Sequence, residues 1–200
     1  NYSDTIFVCD DSLFYHVEIY DNSGCVSVSS IAGDYFWTDP PPIPVLDTVS
    51  IDASEHVVLG WQVSPVKTVI GYMIYHYDAG IWTKIDTVWG YGATTYTDMN
   101  SDPCAAYESY CIAAFDSCGS SSLIGFDNIH HSIYLEIQDI NPCTDYITLR
   151  WNQYINMDPP LAGYNVFVSE NDGPFSILGQ TYTTSNFGPD TFYVHEGLNE

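Results

Sequence analysis

The stretch VVLGWQ (residues 57–62) decides the fold, because it recurs as ITLRWN (residues 147–152) at a distance of 90 residues. In both copies apolar side chains alternate with other residues, and the run leads to a tryptophan, Trp61 or Trp151. An alternation of period two with one apolar face is typical of a half-buried β-strand. The repeat therefore predicts two equivalent strands, each carrying its tryptophan into a core.

Three further segment pairs repeat at similar distances, and all of them resemble strands bounded by turn residues. None of these segments has helical periodicity, and short strands at this spacing predict a β-sandwich of about 90 residues per unit. The pairs are IGYMIYHYDAG (70–80) with AGYNVFVSENDG (162–173), LFYHVEIYDNSGC (13–25) with YESYCIAAFDSCG (107–119), and TTYTDMN (94–100) with TFYVHEGLN (191–199).

The repeats also place the domain borders. The proline-rich stretch TDPPPIPVLD (38–47) is typical of a stiff, extended linker, and GFDNIHHSIYLEI (125–137) stands at the equivalent place one repeat later. We expect residues 1–39 to form the C-terminal strands of a partial sandwich, residues 40–129 a complete one, and residues 130–200 one that lacks its last strands. Partial sandwiches leave sheet edges open, so we expect the chain to be an interior segment of a longer protein.

The composition excludes several classes of partner. The chain has 26 acidic residues against three basic ones, Lys67, Lys84 and Arg150, and a net charge of −23. Phosphate binding needs many Lys and Arg contacts, so nucleic acid and anionic membrane surfaces are not expected partners. No apolar run approaches the roughly 20 residues that span a bilayer, so membrane insertion is not expected either.

The order of the repeated residues resembles that of the fibronectin type III domain. The resemblance implies an all-β chain of tandem immunoglobulin-like (fibronectin type III) sandwiches, with the tryptophans in the cores. It also implies that Tyr15 and Tyr110 form tyrosine corners, their hydroxyls bonded to nearby backbone. The pattern is carried by Trp61, Tyr72, Tyr110, Ile112, Ala114 and Gly119, by Trp151 and Tyr164, and by Tyr15, Val17, Ile19 and Gly24.

A second resemblance concerns the setting of the chain. FDSCGSSS, HHSIYLEIQDINPCTDYITLRWNQY and LAGYNVFVSENDGPFSILG resemble the repeats of very large secreted proteins of the Bacteroidota, which often end in a gliding-motility-associated or type IX secretion sorting domain. That resemblance implies a secreted or cell-surface location on the exterior of the outer membrane. It implies a non-catalytic spacer and display role, in adhesion or gliding motility, with neighbouring domains, other surface proteins or glycans as partners.

Three aromatic residues are candidates for ligand binding: Trp82, Trp89 and Tyr91, in GIWTKIDTVWGYG (80–92). Exposed aromatic side chains there would stack on sugars or contact a protein. The other interpretation is that they cover a sheet edge. The equivalent stretch GPFSILGQTYTTS (173–185) has no tryptophan, so a site of this kind would belong to the middle unit alone.

No nucleophile elbow and no glycine-rich phosphate loop occurs in the sequence, so we expect no enzymatic activity of its own. The chain could alternatively be an accessory region of a secreted hydrolase whose catalytic domain lies elsewhere. No cofactor is expected. Calcium is the one candidate ion, because Asp127, Asp139 and Asp145 lie near a unit border, although no calcium-binding loop motif supports it.

The six cysteines suggest disulfides rather than zinc, because no C-x-x-C or zinc-finger spacing occurs. If Tyr110 faces the core, alternation turns Cys111 outward. Cys9–Cys25 and Cys104–Cys118 are disfavoured, because a strand of about 20 Å separates residues whose Cα atoms must lie within about 7 Å. Two pairings stay open: Cys104–Cys111 within the middle unit, or Cys9–Cys118 between units. Cys143 would pair outside this segment.

Overall fold

The computed structural model describes residue 9 and residues 11–36, 39–124, 129–141, 146–182 and 191–196. Every regular secondary-structure element in these ranges is a β-strand, which confirms the predicted all-β class. A helix of the length and apolarity needed to cross a bilayer is not found among these residues.

The N-terminal strands form one long antiparallel pair, which we call the N-terminal hairpin. Both arms of this hairpin are interrupted between their strands, and Ser29 connects the arms there. The Ser29 backbone N–H donates to the Val17 carbonyl at 2.8 Å, and the Ser29 hydroxyl accepts from Val17 N at 2.8 Å. The strands are β1 (Asp11–Tyr15), β2 (Glu18–Tyr20), β3 (Val26–Val28) and β4 (Ala32–Phe36), with β1 paired to β4 and β2 paired to β3.

The middle sandwich consists of two facing antiparallel sheets. Its strands are β5 (Leu46–Ile51), β6 (Val57–Trp61), β7 (Val69–Asp78), β8 (Ile81–Trp89), β9 (Thr95–Asp98), β10 (Ser109–Asp116) and β11 (His130–His131). One sheet has the order β5-β6-β9 and the other the order β11-β10-β7-β8. This three-plus-four arrangement is that of an immunoglobulin-like sandwich. Residues 130 and 131 pair with β10, although the sequence analysis assigned them to the third unit. The borders between the units stay predictions.

The core of the middle sandwich lies between these sheets, as the alternation in β6 predicts. Val57, Leu59 and Trp61 point inward and are buried, and the Trp61 ring packs on Tyr72 of the opposite sheet at a centroid distance of 5.3 Å. The remaining core residues are Leu46, Val49, Val69, Ile74, Tyr110, Ile112 and Ala114.

The prediction that Cys111 faces outward is wrong, because its exposure is 0%. Strand β10 is an inner strand, and the small Cys111 and Ala113 on its second face lie beside the larger Tyr75 and Met73 of β7. The Tyr75 hydroxyl donates to Met73 Sδ at 3.7 Å, so this ring extends along the same face. Alternation correctly separates the two faces of β10, but large neighbours cover the second face as well.

Three hairpin turns share one hydrogen-bond pattern, which fixes where their strands end. In each, an aspartate Oδ1 accepts from the backbone N–H groups two and four residues later, and the residue three positions on has a positive φ. Glycine tolerates that conformation, whereas a side chain is strained in it. The turns start at Asp21, Asp52 and Asp116, and their positive-φ residues are Gly24 (89°), Glu55 (64°) and Gly119 (83°).

The third unit repeats part of the middle sandwich. Its strands are β12 (Leu135–Asn141), β13 (Tyr146–Trp151), β14 (Gly163–Val168), β15 (Ser176–Tyr182) and β16 (Phe192–Glu196). The sheets β12-β13-β16 and β14-β15 correspond to β5-β6-β9 and β7-β8. Trp151 and Tyr164 pack at 5.4 Å, like Trp61 and Tyr72. Within the described residues, no strand pairs with the edge of β14 that corresponds to the β10-paired edge of β7.

Candidate binding site

The residue three positions after each repeat tryptophan is held in the same way in both units. Tyr72 accepts a hydrogen bond at its hydroxyl from Ser64 N at 3.0 Å, and Tyr164 accepts one from Tyr154 N at 2.8 Å. The two backbones are therefore equivalent at this point. The side chains differ, since a small serine in the middle sandwich is replaced by a tyrosine in the third unit.

The Tyr154 side chain reaches out of its own unit into the middle sandwich. Its hydroxyl accepts from Val49 N on β5 at 2.9 Å and lies 3.2 Å from Nδ1 of His130 on β11. Tyr154 is 7% exposed and His130 is 2% exposed, so the contact is closed to solvent. One phenol thus joins the third unit to both sheets of its neighbour.

Burial sets the protonation of this contact. It raises the pKa of Tyr154, although the hydrogen bond from Val49 acts in the opposite direction. It lowers the pKa of His130, an effect that His131 strengthens and Asp47 opposes. A neutral His130 can accept the proton of the Tyr154 hydroxyl, while the phenol oxygen accepts from Val49.

A groove of about 760 Å³ lies beside this contact and is lined by both units. Tyr77 and Trp82 contribute from β7 and β8, Tyr107 from the loop before β10 and His131 from β11. Ile155 and Asn156 contribute from the segment after Tyr154. Asn156 Nδ2 donates to the Ile129 carbonyl at 2.7 Å, which fixes this wall against the middle sandwich. Pockets of about 300–1,000 Å³ are typical of small-molecule sites.

Two aromatic pairs shape the groove. Tyr77 and Trp82 are opposite each other in the β7–β8 register, with ring centroids 5.1 Å apart, and Tyr107 packs edge-on against His131 at 5.2 Å. Nδ1 of His131 is buried and has no hydrogen-bond partner in the described part of the chain. Burial also lowers the pKa of His131, which favours the neutral form of the ring.

The three aromatic residues predicted to bind ligand are not brought together. Trp82 lines the groove, whereas Trp89 lies at the other end of β8, about 23 Å away at 3.3 Å per residue. Trp89 is 69% exposed and packs edge-on against Phe115 at 5.1 Å. Tyr91 donates its hydroxyl proton to the Ser64 carbonyl at 2.9 Å and is partly buried against the core.

The sequence analysis missed Tyr77, Tyr107, His131 and Asn156 as groove residues. They come from four separate segments, and their juxtaposition depends on how the third unit packs against the middle sandwich. One signal was present: Tyr154 stands where the repeat has Ser64, and a large side chain at a small position indicates a contact beyond the unit.

One of the two open disulfide pairings is confirmed. Cys9 and Cys118 are bonded, with Cα atoms 5.3 Å apart, and this bond joins the region before β1 to the Asp116 turn of the middle sandwich. The pairing Cys104–Cys111 is wrong: Cys104 is an exposed free thiol, and Cys111 is a buried one whose pKa burial raises to about 12. Cys25 is free and exposed, and Cys143 lies outside the described residues.

The predicted tyrosine corner has different partners from those expected. The Tyr110 hydroxyl lies 2.6 Å from Glu108 Oε2 and 3.0 Å from Asp98 Oδ2, so carboxylates take the place of backbone. Burial, followed by the hydrogen bond to Glu108, raises the pKa of Tyr110. Its counterpart Tyr15 is 48% exposed in the N-terminal hairpin.

Metal binding gains no support among the described residues, which contain no cluster of three or more His, Cys, Asp and Glu side chains. Of the three calcium candidates only Asp139 is described, and its Oδ2 accepts from the Tyr146 hydroxyl at 3.1 Å. Asp127 and Asp145 lie outside the described residues. Calcium near this border stays a prediction.

No protein-family model and no curated protein matches the chain. Among solved structures, it is similar to an Fn3-like protein from Clostridium thermocellum, with 20% identity, a TM-score of 0.37, and coverage of 52% of this chain and 99% of that one. It is also similar to the FN1–FN3 domains of chicken CNTN1, with 12% identity, a TM-score of 0.40, and coverage of 90% of this chain and 65% of that one. The fibronectin type III-like assignment rests on the strand order of the described sheets.

Proposed function

We propose that this chain is a non-catalytic spacer and display segment of a large secreted or cell-surface protein. Its mechanical task is to hold neighbouring parts of that protein at a fixed separation and orientation. Adhesion or gliding motility is the setting that the resemblance to Bacteroidota repeats favours. Neighbouring domains of the same long chain are its first partners.

The observation that carries this proposal is that the middle sandwich is fastened to both of its neighbours. On one side the Cys9–Cys118 disulfide ties it covalently to the N-terminal hairpin region. On the other side Tyr154 is buried between Val49 and His130. A spacer transmits position only when its joints are restrained, and both joints here have a specific restraint.

The extracellular location is supported by the same disulfide. Disulfides persist in oxidising compartments and are rare in the cytosol. The net charge of −23 favours a soluble chain that repels its copies. An antibody raised against the chain should label intact cells of the source organism, and labelling only after permeabilisation would contradict the location.

Residual dipolar couplings of the backbone amides test the mechanical role. We expect one alignment tensor to fit the N-terminal hairpin, the middle sandwich and the third unit of the oxidised chain. The Cys9→Ser variant should decouple the hairpin. Tyr154→Ala, which removes the whole buried ring, should loosen the third unit although the Asn156–Ile129 hydrogen bond remains. Each change leaves the other joint intact.

Cys25→Ser is the matched control, because it removes an exposed free thiol from the same hairpin without touching the disulfide. It should keep the single tensor. Separate tensors of different magnitude in the unmodified oxidised chain would overturn the spacer proposal.

A further inference from the structure

We propose that the groove between the middle sandwich and the third unit binds a neutral saccharide. This goes beyond the spacer role but rests on one part of it, the joint between these two units, because both of them line the groove. The contacts proposed for the ligand are Trp82, Tyr77, Tyr107 and His131, which all line the groove.

The aromatic side chains provide the apolar surface for such a ligand. A pyranose ring presents a flat C–H face that packs against an aromatic ring, while its hydroxyls project from the rim. Trp82 and Tyr77 supply adjoining rings 5.1 Å apart, each with an apolar body and a polar tip. The groove volume of about 760 Å³ is ample for more than one sugar residue.

The polar groups favour a hydroxyl-rich ligand over a purely apolar one. Hydroxyl-bearing side chains of the lining are Tyr77, Tyr107 and Ser109, and Asn156 adds an amide. Hydroxyl and amide groups both donate and accept hydrogen bonds, as sugar hydroxyls do. Ser109 lies opposite His131 in the β10–β11 register.

The charges favour a neutral ligand. The described lining residues include no Lys, Arg, Asp or Glu. An anionic ligand would therefore meet a chain of net charge −23 without a local cation to offset the repulsion, and a cationic one would find no carboxylate in the described lining.

Titration of the oxidised 200-residue chain with neutral hexasaccharides tests the proposal. Cellohexaose, xylohexaose, mannohexaose and maltohexaose serve as probes, each up to millimolar concentration, with tryptophan fluorescence and amide chemical shifts as readouts. We expect at least one probe to bind and to shift the amides of Trp82, Tyr107 and His131.

Trp82→Ala should lower the association constant about tenfold or more, as loss of one aromatic stacking surface does. Trp89→Ala is the matched control: it removes the same side chain from the same strand, about 23 Å away, and should bind like the parent. Tyr107→Ala, in a loop rather than a sheet, gives a second variant whose folding is less at risk.

Three outcomes would overturn the proposal. The first is that none of the four probes binds. The second is that binding survives both Trp82→Ala and Tyr107→Ala. The third is that a tryptophan-containing peptide binds at Trp82 while the saccharides do not. The dipolar couplings distinguish the two failures: a chain that keeps a single alignment tensor and yet gives one of these outcomes overturns the saccharide site alone and leaves the spacer proposal standing.

Discussion

The middle sandwich and the third unit share the same sequence signature but differ in how much of it they bury. In both, a tryptophan packs on a tyrosine. The hydroxyl of that tyrosine accepts a hydrogen bond from the backbone N–H of the residue three positions after the tryptophan. In both, the indole N–H has no hydrogen-bond partner within the described ranges. Yet the middle sandwich buries seven of the eight residues of β10, whereas Leu135, Ile137 and Phe192 of the third unit remain more than half exposed.

The difference teaches which part of the repeat makes the core. The tryptophan–tyrosine contact forms wherever its two strands are present, since it needs only β6 and β7 or their counterparts β13 and β14. Strand β10 contributes Tyr110, Ile112 and Ala114, which close the middle core from the second sheet. The motif therefore specifies local geometry, and the later strands provide most of the burial.

The largest expected effect comes from truncating the two tryptophans. Trp61→Ala removes a ring from a closed core and should cost about 3–5 kcal/mol of unfolding free energy. Trp151→Ala should cost clearly less, because its surroundings are already partly open. Amide hydrogen exchange at Leu59 and Leu149, measured in both variants, reads the two units separately. Equal losses would mean that the third unit is as well packed as the middle sandwich.

A smaller effect is expected from pH at the joint between the units. Burial holds the pKa of His130 below its usual value near 6.5. The neutral form is thus favoured in the folded state, so its contribution is complete above pH 6.5 and is lost as the pH falls towards the lowered pKa. Groups facing His130 are the Tyr154 phenol, His131 and Asp47.

The measurement is hydrogen exchange of the Val49 amide, which donates to Tyr154, between pH 7.5 and pH 5 after correction for intrinsic rates. Protection should fall on acidification in the parent chain. His130→Gln, which keeps a polar partner for Tyr154 but does not titrate, should flatten the dependence. An unchanged profile in that variant would assign the effect to another group, with the half-buried His131 the first alternative.

The smallest effect concerns a turn of the middle sandwich. Glu55 occupies a positive φ of 64° where the matching turns have Gly24 and Gly119. Glu55→Gly should raise the stability of the middle sandwich by up to about 1 kcal/mol, because left-handed backbone costs a side chain about 1–2 kcal/mol and glycine's added chain entropy offsets part of the gain.

Gly119→Ala is the opposite change at an equivalent position. An added Cβ there meets no atom within 4 Å, so backbone strain alone should make this variant less stable. Urea denaturation followed at the middle-sandwich amides compares the two. A loss of stability in Glu55→Gly would show that the strain at this turn is smaller than the entropy of the added glycine.

Local patterns predicted much of the fold. The 90-residue repeat located the strands that carry Trp61 and Trp151, and both tryptophans are buried as expected. Strand length excluded a Cys104–Cys118 bond and left two possible pairings. The structure contains one of these two, Cys9–Cys118. These features depend on alternation and on chain length, which a sequence displays directly.

What the sequence did not predict depends on contacts between distant segments. Cys111 is buried because Tyr75 and Met73 cover the second face of β10, and alternation cannot indicate such cover. Tyr110 bonds to two carboxylates because Asp98 and Glu108 happen to meet at its hydroxyl. The groove around Trp82 exists only once the third unit is placed, so its residues had no shared signal along the chain.

The exchange of Ser64 for Tyr154 at one repeat position has a consequence for longer arrays of such units. A serine there stays within its own unit, whereas a tyrosine is buried in the preceding one. A string of otherwise similar repeats could therefore alternate compliant and locked joints through a single side chain. Bending would then concentrate at serine-type joints that lack a disulfide such as Cys9–Cys118, and the pattern of these restraints along the array would set its persistence length.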